Sequence, residues 1–473
     1  MITTYRYICY VLASSILLSG CSATRFNDLF SSYYQQMQPV KTAQSQGKYQ
    51  QALKLLPNRS QSNNAYNLSL LEHGRLQFLA KQIKPSQDSL AHAYQVISDE
   101  QEKAKIQLSR GVENAAAIVS NDSATRYIVP PYEQTMLHSY QALNYLSENK
   151  LSSALVEVRR ANLVQEQALR SNNAKLYKAE QNMAKHGVSM NSLSSKYPSM
   201  QTTIGEVKNG FQNAYTFYLS GLLYEAGGQK NDAYIDYKKA LEIFPDNSIL
   251  QQEVWRLANQ LSMVDDIARY KQSFNINEND HKTNSGNLIV ITEHGIIENK
   301  SEFSLNLPIF TSHDDMRFYS FSVPTYKNYL RNYAPVSINY QGKHYQSEEI
   351  VRLQSLAAFQ LKEQMPATIA RQIARIIAKE EIRQQLSRKG GDVGNILAGL
   401  YNITTEQADT RSWSTLPDKV EIMKLALAPG QHKIELDIGG AKKAVEVTIN
   451  QQANTLLYVT AIGSQSQLRV FNL

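Results

Sequence analysis

Two spacings of apolar residues divide the chain. Up to residue 270 they return every three or four positions, the period of helices that bury one face. Segment 66–80 carries Leu68, Leu71, Leu76 and Leu79 around Gly74, and 85–97 follows as its partner, with Leu90 and Tyr94. Segments 136–146 and 151–169 repeat that order of small and large residues with Ala142 and Tyr145, then Ala154, Val158 and Ala161. An earlier helix is predicted over 47–56, where Tyr49, Ala52 and Leu53 lie between Gly47 and Pro57. Helix continues over 100–120 and again over 175–185, whereas 187–203, rich in Ser, Met and Asn, reads as a surface insertion. A capping helix at 248–270 starts from Asp246-Asn247-Ser248 and buries Trp255, Leu257, Leu261 and Ile267.

Residues 271–286 hold few apolar side chains and form the predicted linker. Beyond it the alternation of strands takes over. Strands are expected at 287–293, 303–310, 318–323 and 335–340, with Gly342 as a turn and Tyr345 beyond it. Helices return at 348–363 and, after a break at Pro366, at 368–388; a glycine-rich apolar stretch follows at 390–401. The end is again β, at 419–427, 432–438, 444–449 and 455–461, with Pro429-Gly430 and Gly439-Gly440 as turns. The predicted fold class is multidomain: N-terminal all-α helical repeats over 21–270, then a C-terminal α+β domain over 287–473.

The clearest hairpin is 217–245. Phe217, Ser220, Gly221 and Tyr224 stand on its first helix, Ala233, Tyr237 and Ala240 on its second, and Pro245 stops it. Gly221 and Ala233 are small where the paired helices cross, and Tyr224 and Tyr237 fill the space beside them. Gly227-Gly228 and Asn231-Asp232 supply the turn and the cap. This order resembles the tetratricopeptide repeat. The resemblance implies stacked helix pairs with a concave surface suited to extended peptides or partner helices. The neighbouring pairs depart from that family's regular period, so an irregular set is expected.

The N-terminus sets the expected compartment. Arg6 precedes an apolar run over 7–18, and Leu18-Ser19-Gly20-Cys21 closes it. The run is too short to span a bilayer and ends in small residues. It resembles a bacterial lipoprotein signal, 1–20, which implies acylation of Cys21 and anchoring in the lipid bilayer. Ser22 in place of Asp implies, by the same resemblance, the outer membrane and its periplasmic face. The chain's two cysteines are Cys9, inside the signal, and Cys21, so no disulfide or thiolate metal site is expected after processing. A net charge of +7 is modest for 473 residues and is not gathered in a tail, so nucleic acid is not an expected partner.

Candidate chemistry is sparse. The sequence has no H-E-x-x-H, G-x-S-x-G, Walker loop or G-x-G-x-x-G. Its nine histidines are scattered, with no two at metal-ligand spacing on one helix. No catalytic residue, metal ligand or cofactor is therefore assigned. Glu293-His294, at the end of a predicted strand, is the most site-like pair, and a strand-end turn explains it equally. Arg159-Arg160 with Glu157 and Glu166 reads either as a binding feature or as a solvated helix face. Arg371, Arg375 and Lys379 face away from Ile369, Ile373, Ile376 and Ile377, which suits a membrane surface or a helix buried by its own domain. Asp409-Thr-Arg411-Ser-Trp413 with Leu416-Pro417 reads either as a binding feature or as a structural anchor, an ion pair beside a core plug.

The whole order is similar to a proteobacterial outer-membrane lipoprotein family with degenerate tetratricopeptide-like repeats. It shares the lipobox, the Tyr132-Glu133…His138-x-Tyr140-Gln-Ala-Leu-Asn-Tyr145-Leu segment and the late Ala-Asp-x-Arg-Ser-Trp-x-x-Leu-Pro. That family carries no activity to transfer. The expected function is a non-catalytic, lipid-anchored scaffold that binds an unidentified envelope protein. The alternatives are a regulator of a peptidoglycan synthase, by likeness to helical-repeat lipoproteins that activate penicillin-binding proteins, and an envelope-polymer enzyme using the C-terminal domain.

Overall fold

The structure, a computed structural model, describes residues 32–109, 122, 125–274, 285–310, 316–405 and 407–473. The signal segment and Cys21 lie outside the described residues. The first part is helical throughout. Helices α1 (Tyr33–Ser45) and α2 (Tyr49–Leu55) form a first pair, α3 (Tyr66–Leu79) and α4 (Ile83–Ser109) a second, α5 (Pro131–Leu146) and α6 (Leu151–Ala184) a third. Two short helices, α7 (Met190–Ser194) and α8 (Gln201–Ile204), precede the pair α9 (Ala214–Ala226) and α10 (Lys230–Ile243). Helices α11 (Ser248–Gln260) and α12 (Val264–Ser273) end the series.

Local chemistry explains these boundaries. A capping box between Ser32 and Gln35 starts α1, and Asn213 and Asn247 accept backbone N–H groups at the starts of α9 and α11. Gly228 turns the chain between α9 and α10 at φ +73°. Small residues set the closeness of the pairs. A Cβ added at Gly221 would stand 2.6 Å from the Tyr237 ring, and one at Gly74 would stand 2.5 Å from Leu90. Phe217, Gly221, Tyr224, Ala233, Tyr237 and Ala240 are buried, and Pro245 follows the end of α10.

The second part holds strands β1 (Gly286–His294), β2 (Ser301–Phe310), β3 (Met316–Thr325), β4 (Ser337–Tyr340), β5 (Lys343–Gln346) and β6 (Glu348–Arg352). Helix α13 (Leu353–Thr405) follows, then β7 (Lys419–Leu427), β8 (Gly430–Ile438), β9 (Ala441–Ile449), β10 (Asn454–Ile462) and β11 (Gln465–Asn472). A five-stranded mixed sheet runs β11-β10-β1-β7-β6, with β1 parallel to β10 and antiparallel to β7. A four-stranded sheet runs β5-β4-β8-β9, and β2 and β3 form a hairpin of their own.

The five-stranded sheet is covered on both faces. Ile289 and Ile291 of β1, Val420 and Ile422 of β7, and Leu456 and Tyr458 of β10 join the core that runs back through the helices to Tyr33. The intervening Leu288, Val290, Met423, Leu425, Leu457 and Val459 enter a second core with Ile434 and Leu436 of the other sheet. The period of two therefore sends one face to the helices and the other to the second sheet.

Several local readings change. Residues 348–352 are strand β6, not the start of a helix, because they pair with β7 at the sheet edge. Strand β11 goes beyond the predicted set; its mixed polar sequence hides a strand held by β10. Helix α13 runs unbroken through Pro366, since Leu361, Met365, Ile369, Ile373 and Ile376 form one buried stripe across it. Likewise α6 is one helix past Leu169, whereas 248–270 divides at Ser262, which takes φ +55°.

Candidate interaction groove

Glu293 and His294 are neighbours on β1 and so point to opposite faces of the sheet. Glu293 meets the helices: Arg75 Nη2 reaches its Oε2 at 2.5 Å and the Tyr140 hydroxyl donates to Oε1 at 2.6 Å, with all three side chains buried. The Arg75 guanidinium also lies over the Tyr140 ring, 4.4 Å from its centre. His294 meets the other side, where its Nε2 is 2.9 Å from Glu421 Oε2, an oxygen that also accepts from Ser347 Oγ at 2.5 Å. Burial would raise the Glu421 carboxyl, yet His294, Lys419 and Ser347 outweigh it and hold the group at about 2. The pair does not converge on a shared space, so a cleft built on Glu293 with His294 is not formed.

The 409–417 segment is a strap across the helices. Glu72 of α3 accepts from Ser414 N and Oγ, from Thr415 N and Oγ1, and from the Tyr33 hydroxyl. Glu133 of α5 accepts from Trp413 N at 2.9 Å and from the hydroxyls of Tyr127 and Tyr132. Burial pushes the Glu133 carboxyl up to about 7 against those donors. Arg411 pairs with Asp409 at 2.7 Å and also donates to the carbonyls of Asn64, Asp122 and Thr125. Trp413 is fully buried.

Of the cationic residues after Pro366, Arg371 stays exposed, 3.3 Å from Asp122 Oδ1, and the other two turn inward. Arg375 and Lys379 are buried, and Arg375 Nη1 lies 2.9 Å from Asp122 Oδ1. The 187–203 insertion lies against other elements: Tyr197 donates to Pro324 O at 2.6 Å, Lys196 to Asn306 O at 3.1 Å, and Thr203 to Lys327 O at 2.6 Å.

The Arg159-Arg160 cluster divides in two. Glu157 turns into the fold, 2.7 Å from His138 Nδ1 and 2.7 Å from Arg160 Nη1, while Arg160 covers Tyr94. Arg159 and Glu166 instead line a groove between α6 and α10, over Tyr224 of α9, enclosing about 390 Å³. Its floor is polar. Asn162 Nδ2 donates to Asp236 Oδ2 at 2.5 Å, and Ser220 Oγ donates to the same oxygen at 2.6 Å. Burial raises the Asp236 carboxyl, opposed by Ser220, Lys239 and Asn162. Its walls are apolar: Leu163 of α6 and Ile235 of α10 are about half exposed, at 52% and 50%. Asn162, Leu163, Ile235 and Asp236 were not singled out from the sequence. Their signal was present, since Leu163 and Ile235 are apolar residues off the buried stripes of otherwise polar helix faces. A second groove of about 430 Å³ lies between α2, the α3–α4 turn and β11, with Lys48 and Lys81 among its lining.

No protein-family model matches this chain, and no curated protein is similar to it in sequence. Among solved structures, two crystal structures of MamA align with it at 12% identity and a TM-score of 0.27. The alignments cover 50% and 49% of this chain, and 86% and 90% of the MamA chains.

Proposed function

We propose that this chain is a non-catalytic adaptor that receives an envelope protein in the groove between α6 and α10. In this reading the helix pairs form an irregular tetratricopeptide-like stack, and acyl chains on Cys21 hold it to the periplasmic face of the outer membrane. One observation carries the binding claim. Leu163 and Ile235 are left half exposed on the two walls of a groove also lined by the buried Asn162 and Asp236. Apolar walls around fixed polar groups suit a protein partner, because the walls supply area and the floor supplies specificity.

The test is in-cell photocrosslinking from positions 163 and 235, with 442, exposed on β9, as the control. The adaptor reading expects one envelope protein captured from 163 and 235 and not from 442. Equal capture at all three positions, or none at any, overturns it. The tether has a separate test. Cys21→Ser removes the thiol that would carry the acyl chain, so it is expected to abolish lipid labelling and membrane retention; unchanged fractionation refutes it.

A further inference from the structure

We infer that the outer edge of β11 takes up an extended segment of a partner protein as an added strand, with acidic side chains toward the helices. This goes beyond the α6–α10 groove and does not depend on it. Leu473 N donates to Asn454 O at 3.0 Å, which fixes the pattern of the ladder between β10 and β11. Hydrogen-bonded residues alternate in an antiparallel pair, so Gln465, Gln467, Arg469 and Phe471 turn their backbone groups to β10. Ser466, Leu468, Val470 and Asn472 turn theirs outward. Strand β11 ends the five-stranded sheet, and among the described residues no backbone bond meets those outward groups. None of the four residues is buried.

The edges at β6 and β9 are guarded. Strand β6 shifts register between Glu349 and Val351, beside Glu348 and Arg352, and β9 carries exposed Lys442, Lys443 and Glu446. Bulges and charges are the devices that keep sheet edges from pairing. Strand β11 has neither: it keeps an unbroken register with β10 and contains no proline. Its one charged residue, Arg469, is turned inward, 4.0 Å from the centre of the Phe78 ring. An unguarded row of outward N–H and C=O groups selects a strand, because another extended backbone answers both in the same alternation.

Side chains then set which strand fits. Gln467 lines the groove of about 430 Å³ whose charged lining residues are Lys48 and Lys81, both exposed. Phe471, on the same face of β11, joins the core shared with the helices, whereas Leu468, on the other face, packs on the second core. Alternate residues of an added strand extend the helix-facing side toward the two lysines, and acidic residues suit those positions. The residues between them come beside Leu468 and the 39% exposed Val470, where aliphatic side chains fit. A second copy of β11 is a poor match. Its helix-facing Gln465, Gln467 and Arg469 offer the lysines no carboxylate.

The probe is a short fluorescent peptide alternating valine and glutamate. One companion carries lysine for glutamate, and another carries N-methyl groups on its central residues. Binding to the full chain is read by anisotropy. The glutamate peptide is expected to bind about tenfold tighter than the lysine peptide, as attraction to Lys48 and Lys81 gives way to repulsion. The N-methylated peptide is expected to lose binding, since it cannot donate to the edge. Val470→Pro removes an outward N–H and leaves the β10 ladder in place, so it is expected to abolish binding. Lys48→Glu, on an exposed side chain, is expected to weaken the preference for glutamate. Undiminished binding of the N-methylated peptide, equal affinity of the glutamate and lysine peptides, or no binding by either overturns the inference. So does a dimer, seen by light scattering, that Val470→Pro dissolves, because a second copy then fills the edge. The N-methylated peptide is read on the unaltered chain, so misfolding of Val470→Pro does not blunt the test. Crosslinking from 163 and 235 reports on the adaptor groove alone, and each reading stands or falls by its own measurement.

Discussion

Arg75 of α3 and Glu293 of β1, 218 residues apart, form an ion pair in which neither side chain is exposed. Burial acts against the Arg75 charge, but Glu293 outweighs it and raises the guanidinium above its ordinary value. The pair joins the helical part to the middle strand of the five-stranded sheet.

Breaking that pair from one side leaves a buried charge without compensation. Glu293→Ala is expected to lower unfolding stability by about 3–5 kcal/mol. The double variant Arg75→Met with Glu293→Met should recover most of that loss, because the desolvation penalty disappears with the charges. Urea denaturation of the single and double variants measures both, and strictly additive losses would argue against a coupled pair.

Glu133 predicts a pH dependence of stability. Its carboxyl is raised from 4.5 to about 7, so the folded chain keeps a proton that the unfolded chain releases in that window. The resulting contribution is full below pH 4.5 and is lost as pH rises through about 7, with an amplitude of roughly 3 kcal/mol. Glu421, held at about 2, acts with the opposite sign: its contribution is present above 4.5 and is lost as pH falls toward 2. Thermal melts from pH 4.5 to 8 should show the first effect in the wild type and a flatter profile in Glu133→Gln. Identical profiles would remove Glu133 as the cause.

Gly221 predicts an overpacking cost. A methyl group there meets the Tyr237 ring at 2.6 Å, so Gly221→Ala should destabilise by about 1–3 kcal/mol. Combined with Tyr237→Leu, the two losses should fall short of additive, since the smaller side chain yields space. A neutral Gly221→Ala measured by chemical denaturation would contradict this packing.

Trp413 predicts the value of the strap. It is fully buried, and its backbone N–H is read by Glu133. Trp413→Ala should cost about 3–5 kcal/mol and expose 409–417 to limited proteolysis. Proteolytic resistance equal to the wild type would show that the strap is held without it.

Elements with one dominant period were legible from the residues. The 217–245 hairpin and the strand over 419–427 were readable because small-large spacing and alternation are local properties. Strands β6 and β11 were not, because each is held from outside, by β7 and by β10. The groove was half legible. Arg159 and Glu166 stood out by charge, but Asn162 and Asp236 meet only when α6 and α10 pack side by side, 74 residues apart in the chain. Nor does any local pattern show that the helices cover one face of the sheet.

Strand order has a consequence for synthesis. The middle strand β1 is made before its two neighbours, β7 and β10, and β10 lies near the end of the chain. While the chain grows, the helices that supply Arg75 and Tyr140 exist beside a strand whose edges are both open. Pairings this distant in sequence close slowly. The chain is therefore most exposed to edge-to-edge association in the interval between completing β1 and completing β10. Loss of the last two strands would make that interval permanent.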